Sequence, residues 1–152
     1  MDKGDAGTIR LVAAPDFEQW LPLWEGYQRF YKVQIPMEVT QRTWERLLDP
    51  AEPMFCAVAA RDGKAAGLVH YIFHRSTWTT GDYCYLQDLF VEPGGRRIGL
   101  GRRLIEHVYD AARARGASRV HWLTHETNTD AMKLYEQVAE RSGFVQYRRA
   151  MQ

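Results

Sequence analysis

Residues 94–108, GGRRIGLGRRLIEHV, bring four glycines and four arginines to the start of a segment with helical periodicity. The first turn of a helix leaves backbone N–H groups without intrahelical acceptors. Several of them aimed at one point form an anion site, which glycine keeps open to close approach. Gly99 and Gly101 stand where that approach would occur, so a diphosphate or similar polyanion is the ligand this stretch suits. Two nucleotide signatures do not fit. The loop lacks the G-K-[ST] ending of a Walker A sequence, which disfavours magnesium-dependent hydrolysis of a nucleoside triphosphate. After Gly99-x-Gly101 the third position of a dinucleotide fingerprint holds Leu104, and no early βαβ unit precedes the loop. Glycine in a strand-to-helix connection also serves turn geometry alone, so both readings stay open at this point.

The surrounding charge shares that ambiguity. Residues 93–119 hold seven arginines against Glu106 and Asp110, either as a solvated helix face or as the setting of a polyanion near residue 97. Metal chemistry finds no support. His70 and His74, or His121 and His125, are four apart on expected strands, roughly 13 Å end to end and too far to chelate together. There is no H-E-x-x-H, no cysteine cluster and no Ser-His-Asp order, so no metal site is expected.

The elements that must position the loop follow from periodicity and turn chemistry. TIRLVAA reads as a first strand. PDFEQWLPLWEGYQRFYKV places Phe17, Trp20, Leu21, Trp24, Tyr27 and Tyr31 at helical spacing, with Pro22 expected to kink or interrupt the helix. TQRTWERLLD reads as a second helix with Thr40 as N-cap and Trp44, Leu47 and Leu48 inward. Asp62-Gly63 makes a hairpin of MFCAVAARDGKAAGLVHYIFHR. DYCYLQDLFV is a further strand, broken by PGG. GRRLIEHVYDAARARG is a helix with Leu104, Ile105, Val108 and Ala112 on one side and Gly116 at its end. SRVHWLTHE is a strand, NTDAMKLYEQVAERSG a helix ending at Gly143 with Ala131, Leu134, Tyr135 and Val138 inward, and FVQYRRAM a last strand. The order β-α-α-β-β-β-α-β-α-β predicts a three-layer α/β domain with a mixed sheet.

A chain of 152 residues is about one domain long, and residues 1–152 are expected to form a single one. With 45% hydrophobic and 26% charged residues it has the make-up of a globular protein. Its net charge of +1 gives no general attraction to nucleic acid. No run approaches the roughly 18 apolar residues of a membrane helix, the first ten residues hold no signal-like stretch, and Cys56 and Cys84 are too few for a disulfide framework. A cytoplasmic, reduced protein is expected.

The strand CYLQDLFV, then Glu92-Pro93, Arg96-x-x-Gly99-x-Gly101, an amphipathic helix, a strand and an Asn-to-Tyr helix form an order of parts that covers essentially the whole chain. It resembles the GNAT superfamily of acetyl-CoA-dependent N-acetyltransferases, whose diphosphate signature is [QR]-x-x-G-x-[GA]. HRSTW, CYLQDLFV and the segment from His107 to Tyr147 further resemble the yeast-type histone and polyamine acetyltransferase subgroup. The resemblance implies a mostly antiparallel mixed sheet of six to seven strands with about four helices, and acetyl-CoA as cofactor. It implies that main-chain groups of Leu89, Phe90 and Val91 pair with the pantetheine arm, and that Arg96, Arg97, Ile98, Gly99, Leu100, Gly101 and Arg102 wrap the diphosphate. Arg97 stands where the family often has glycine, and its side chain would add a charge-assisted bond to phosphate.

The same resemblance makes Tyr135, seven residues after Asn128, the general acid, and Asn128 a cofactor contact. Taken without it, Tyr135 is an ordinary core aromatic. Related polyamine enzymes carry glutamate where Gln87 stands, and glutamine accepts no proton at neutral pH. Asp88 remains, placed by strand alternation on the face opposite Gln87; it would act through water, bind the substrate cation, or be structural. His74 and Trp78 would border the amine site with Gln87. Tyr27, Phe30 and Tyr31 would wall it and Glu25 would attract a cation. The implied reaction is direct acetyl transfer to a primary amine: a polyamine, an amino acid or a protein lysine. The implied assembly is a dimer or tetramer with FVQYRRAM as an exchange or edge strand. Two rivals share the loop: a non-catalytic acyl-CoA-binding sensor, and an arginine-helix module for RNA.

Overall fold

A computed structural model of the chain describes residues 7–151, the Arg97 side chain excepted. The described residues divide between Trp122 and Leu123 into two compact units. The first contains β1 (Thr8–Leu11), α1 (Phe17–Phe30), α2 (Met37–Leu48), β2 (Met54–Arg61), β3 (Lys64–His74), β4 (Tyr83–Val91), a 3₁₀ segment (Pro93–Ile98), α3 (Leu100–Ala114) and β5 (Val120–His121). The second contains α4 (Thr129–Val138). The strands lie in the order β1-β2-β3-β4-β5, antiparallel as far as β4 and parallel between β4 and β5. The mixed α/β class is the expected one, with five strands among the described residues in place of six to seven.

Side-chain parity sorts the first unit into layers. Cys56 and Val58 of β2 and Leu68 of β3 pack with Trp20, Leu23 and Trp24 of α1 and Trp44 and Leu47 of α2. On the other face, Tyr71 of β3 reaches His107 of α3 at 3.1 Å, and Leu104, Ile105 and Val108 are fully buried. The β2–β3 hairpin turns on Asp62 and Gly63, both at positive φ (52° and 77°), which a tight two-residue turn demands. Gly26 lets α1 lie directly on β4, since a Cβ there would stand 2.8 Å from the Phe90 ring.

Several local expectations are corrected. Helix α1 runs through Pro22 without interruption; the proline removes the bond to the Glu18 carbonyl, but Trp20 and Trp24, 0% and 6% exposed, pin the helix on either side. Helix α2 starts at Met37, not at a Thr40 cap. The Pro36 carbonyl accepts the amides of Val39 and Thr40, so Thr40 is carried inside the helix. Leu48 is exposed. Helix α4 ends at Val138, well before Gly143, and none of its residues is fully buried. SRVHWLTHE contributes only Val120–His121 to the sheet. FVQYRRAM forms no strand, and its Phe144, Val145, Tyr147 and Met151 are exposed. A period-two pattern becomes a strand only where a neighbour takes up its N–H and C=O groups, and among the described residues none pairs with this segment.

Candidate active site

The sheet opens along β4. Strand β5 pairs with it only at Cys84↔Val120 and Tyr85↔His121, so beyond Tyr85 the ladder partner of β4 among the described residues is β3 alone. Leu89, Phe90 and Val91 lie on this open stretch. The chain then folds through Pro93–Ile98 into Gly99, the N-cap of α3 at φ 79°. Gly99 brings no side-chain acceptor to the first turn, and a Cβ placed on it would meet nothing within 4 Å. The first intrahelical bond runs from the Arg103 amide to the Gly99 carbonyl, 3.1 Å, so the helix itself offers no acceptor to the amides ahead of it. An uncapped helix start beneath open space, with Gly101 in its first turn, fits an anion such as a diphosphate.

The side chains of the loop divide the work. Leu100 is fully buried, so only its main chain can face a ligand. Ile98 is exposed. The Arg96 Nε donates to the Val91 carbonyl at 2.9 Å, and its guanidinium lies 5.8 and 5.9 Å from the Phe30 and Phe90 ring centroids. It braces the end of β4 against α1. Arg103 donates to the Gly7 carbonyl at 3.0 Å. Arg102 is half-buried in the first turn of α3. The phosphate bond expected of the Arg97 side chain lies outside the described residues.

Within this open stretch, before Leu89, β4 carries a bulge. His70 pairs with Asp88 and Tyr71 with Leu86, leaving Gln87 as the extra residue. Gln87 is exposed and Asp88 is buried. The bulge delivers Asp88 to the α1 face, where its Oδ2 lies 3.0 Å from His70 Nδ1. His70 Nε2 in turn lies 3.1 Å from the Trp20 indole Nε1. Burial, then the Asp88 charge and a hydrogen bond to Asp88, hold the Tyr27 phenol far above its ordinary value. Burial followed by Asp88 likewise raises Tyr85. Trp24 stacks on Tyr27 and packs edge-on to His70, with ring centroids 5.0 and 4.9 Å apart. Its buried indole Nε1 has no hydrogen-bond partner among the described residues.

The expected site residues therefore fall into groups. Tyr27 and Asp88 come together. Gln87 stands outside that pocket on the bulge. His74 packs edge-on to His121 of β5, ring centroids 5.5 Å apart, so histidines that cannot meet along one strand do meet across the sheet, though no group of three metal-binding residues forms among the described ones. Trp78 is 75% exposed on the loop after β3. In the second unit, Asn128 is the N-cap of α4, with Nδ2 donating to Thr124 Oγ1 at 3.2 Å, and Tyr135 lies half-buried on that helix. His70, Trp20 and Trp24 were missed as site residues because each reads from sequence as core. The only signal was a histidine in an otherwise apolar run, LVHYIF.

An open strand edge that leads into a helix start with no side-chain cap suits an extended ligand carrying an anionic group. The acetyltransferase (GNAT) family matches residues 18–139, and the chain belongs to that family. It is an N-acetyltransferase. The chain is 36% identical over 147 residues to the D-amino-acid N-acetyltransferase of Saccharomyces cerevisiae, covering 95% of this chain and 91% of that one. It is 27% identical over 131 residues to the L-ornithine N5-acetyltransferase of Arabidopsis thaliana, covering 86% of this chain and 50% of that one. An aminoglycoside N-acetyltransferase solved with CoA shares the fold at a TM-score of 0.85 and 21% identity, covering 99% of this chain and 98% of that one.

Proposed function

We propose that this enzyme transfers the acetyl group of acetyl-CoA to the primary amine of a free amino acid or similarly small amine, by direct attack with both molecules bound. One observation carries the reading: a buried carboxylate, Asp88, stands on an open strand edge that leads into an uncapped helix start. In this reading the amides of the α3 first turn hold the diphosphate and the main chain of Leu89, Phe90 and Val91 aligns the pantetheine arm. The cofactor supplies the acetyl group as a thioester. Asp88 faces the acceptor ammonium and takes up its proton, directly or through water, since an alkylamine of pKa near 10 is only about one part in a thousand neutral at pH 7. Tyr135 protonates the leaving sulfur, a role resting on its interval from Asn128.

The amino-acid class is favoured over polyamines and protein lysines on two grounds. Relatives along the chain are named for amino-acid substrates. The Trp24 N–H, buried without a partner among the described residues on a ring packed against Tyr27 and His70, suits an acceptor that carries an oxygen acceptor as well as an ammonium. We further take residues 1–152 as one catalytic domain, since the family match runs across both units, acting in the cytoplasm with free thiols at Cys56 and Cys84, as a homodimer in which the exposed 144–151 segment finds its strand partner. No helix among the described residues is long and apolar enough to cross a membrane.

The test is a panel of amino acids, polyamines and a lysine peptide with acetyl-CoA, followed by thiol release. Acetylation of amino acids, with Tyr135→Phe lowering turnover roughly 10²- to 10⁴-fold at unchanged CoA affinity, supports the reading. CoA binding with no turnover on any amine would leave a sensor domain instead.

A further inference from the structure

Four polar or charged side chains are buried among the described residues: Gln28, Thr40, His70 and Asp88. Gln28 accepts the Ile35 amide at 2.7 Å and so ties the end of α1 to the following loop. Thr40 lies within α2. His70 and Asp88 form a single pair across β3 and β4, and the pair is completed by Trp20. An indole N–H donates and never accepts, so the His70 Nε2 facing it must be bare. An imidazolium, with hydrogen on both nitrogens, would point one N–H at another. The lone proton therefore sits on Nδ1 and is donated to Asp88 Oδ2. The pair has the spacing of a salt bridge but carries one charge, not two.

Among the described residues nothing else that faces Asp88 supplies the missing cation. Tyr27 faces Asp88 from α1, with Tyr31 against it just past the helix end, Tyr85 from β4 and Cys56 from β2; phenols and thiols of this kind are neutral at neutral pH. Among the described residues no lysine or arginine pairs with Asp88. Burying a carboxylate without a counter-charge is expensive, and a neutral side chain of the same shape would serve packing better. The arrangement makes sense as a receptor for a cation that comes and goes.

We propose that Trp20 and His70 are positioning residues for ammonium capture: Trp20 holds His70 in the neutral Nδ1–H form, His70 orients Asp88, and the carboxylate stays uncompensated until the acceptor ammonium arrives. The aromatic walls of Tyr27, Tyr85 and Trp24 favour the same ligand. The inference rests on the reading that the acceptor is a primary amine.

The experiment has one arm that needs no activity. Nitrogen-15 shifts of the His70 imidazole in the full-length protein, assigned by their loss in His70→Asn, should report Nδ1–H with a bare Nε2 at neutral pH. An imidazolium at neutral pH, or the Nε2–H tautomer, overturns the proposal even if every amine is acetylated. The second arm is kinetic. Trp20→Phe removes the donor that keeps Nε2 bare, so the Nδ1–H form and its bond to Asp88 are no longer imposed. The amine KM of that variant should rise roughly 10-fold or more relative to wild type, with CoA affinity unchanged. A packing role alone would depress all parameters equally, and that result refutes the positioning role. His70→Leu should raise the amine KM, and His70→Asn, which returns an N–H near the Nδ1 position, should recover most of the loss. If no amine is acetylated, the functional reading falls by itself and the tautomer result still judges this one.

Discussion

Replacing Asp88 by asparagine separates two roles that a buried carboxylate can have. The side chains of Asp88 and His70 are only 10% and 6% exposed and share one 3.0 Å hydrogen bond. Asparagine is isosteric and keeps an oxygen for the His70 Nδ1–H. What is lost is the charge assistance of that bond, about 1 kcal/mol. The Tyr27 hydroxyl, a donor to the carboxylate, can rotate to accept from the new amide. What is gained is relief from holding an uncompensated charge out of water, several kcal/mol at the upper bound. The balance is a protein of equal stability or about 1–2 kcal/mol more stable, a rise in Tm of up to roughly 2–8 °C for a chain of this length. Activity should move the other way, with kcat/KM for the amine falling roughly 10²- to 10⁴-fold and CoA binding untouched. Thermal unfolding, isothermal titration with CoA and thiol release measure the three quantities on one preparation. A Tm drop of more than about 10 °C, with activity lost only in proportion to unfolded protein, would make Asp88 a structural residue and refute the reasoning.

Two further outcomes test other parts of the molecule. Gly99→Val puts a β-branched residue at φ 79°; since its Cβ meets open space, the fold should survive with about 1–3 kcal/mol of backbone strain, while the methyls over the α3 N-terminus weaken CoA binding about tenfold or more. Unchanged affinity by titration would count against the diphosphate site. Asp16 accepts two hydrogen bonds from Arg10, at 2.7 and 2.8 Å, and one from the Ala13 amide at 2.7 Å. The Arg10 bonds, more than the Ala13 bond, hold its carboxyl below the ordinary value against the opposing effect of burial. A folded-state value below the unfolded one near 3.9 means stabilisation is complete above about pH 4 and disappears as the pH falls through the folded value. Asp16→Asn should therefore lower Tm at neutral pH and leave it little changed near about pH 2, as calorimetry at both pH values will show.

Much of the frame was legible because it is written in local patterns. The Asp62-Gly63 turn, the apolar stripe Leu104–Ile105–Val108–Ala112 and the positive φ of Gly116 each follow from a residue type at a fixed offset. The glycine-arginine loop could be located for the same reason, and its order among the strands and helices was enough to suggest the family. What failed was whatever depends on partners distant in sequence. Pro22 reads as a break, yet Trp20 and Trp24 hold α1 on the sheet. FVQYRRAM alternates like a strand but lacks a ladder among the described residues. His70 and Trp20, 50 positions apart, reveal themselves as one hydrogen-bonded unit only in three dimensions.

The bulge at Gln87 ties these strands of reasoning together. Leu86 lies opposite Tyr71, whose side chain faces α3, and it is buried on that side. In a regular strand Asp88 would share the face of Leu86 and point its charge at the aliphatic side of α3, where it would have neither donor nor access. One extra residue reverses the parity, so Asp88 meets His70 on the α1 face while Leu86 stays in the core behind it. The resemblance to polyamine enzymes makes position 87 the place for a base and its glutamine a defect. In the structure Gln87 is the unpaired residue of the bulge, exposed, and the carboxylate of the pocket is its neighbour. Any side chain at 87 stands exposed on the bulge, while the carboxylate on the α1 face is Asp88, and the bulge is what delivers it.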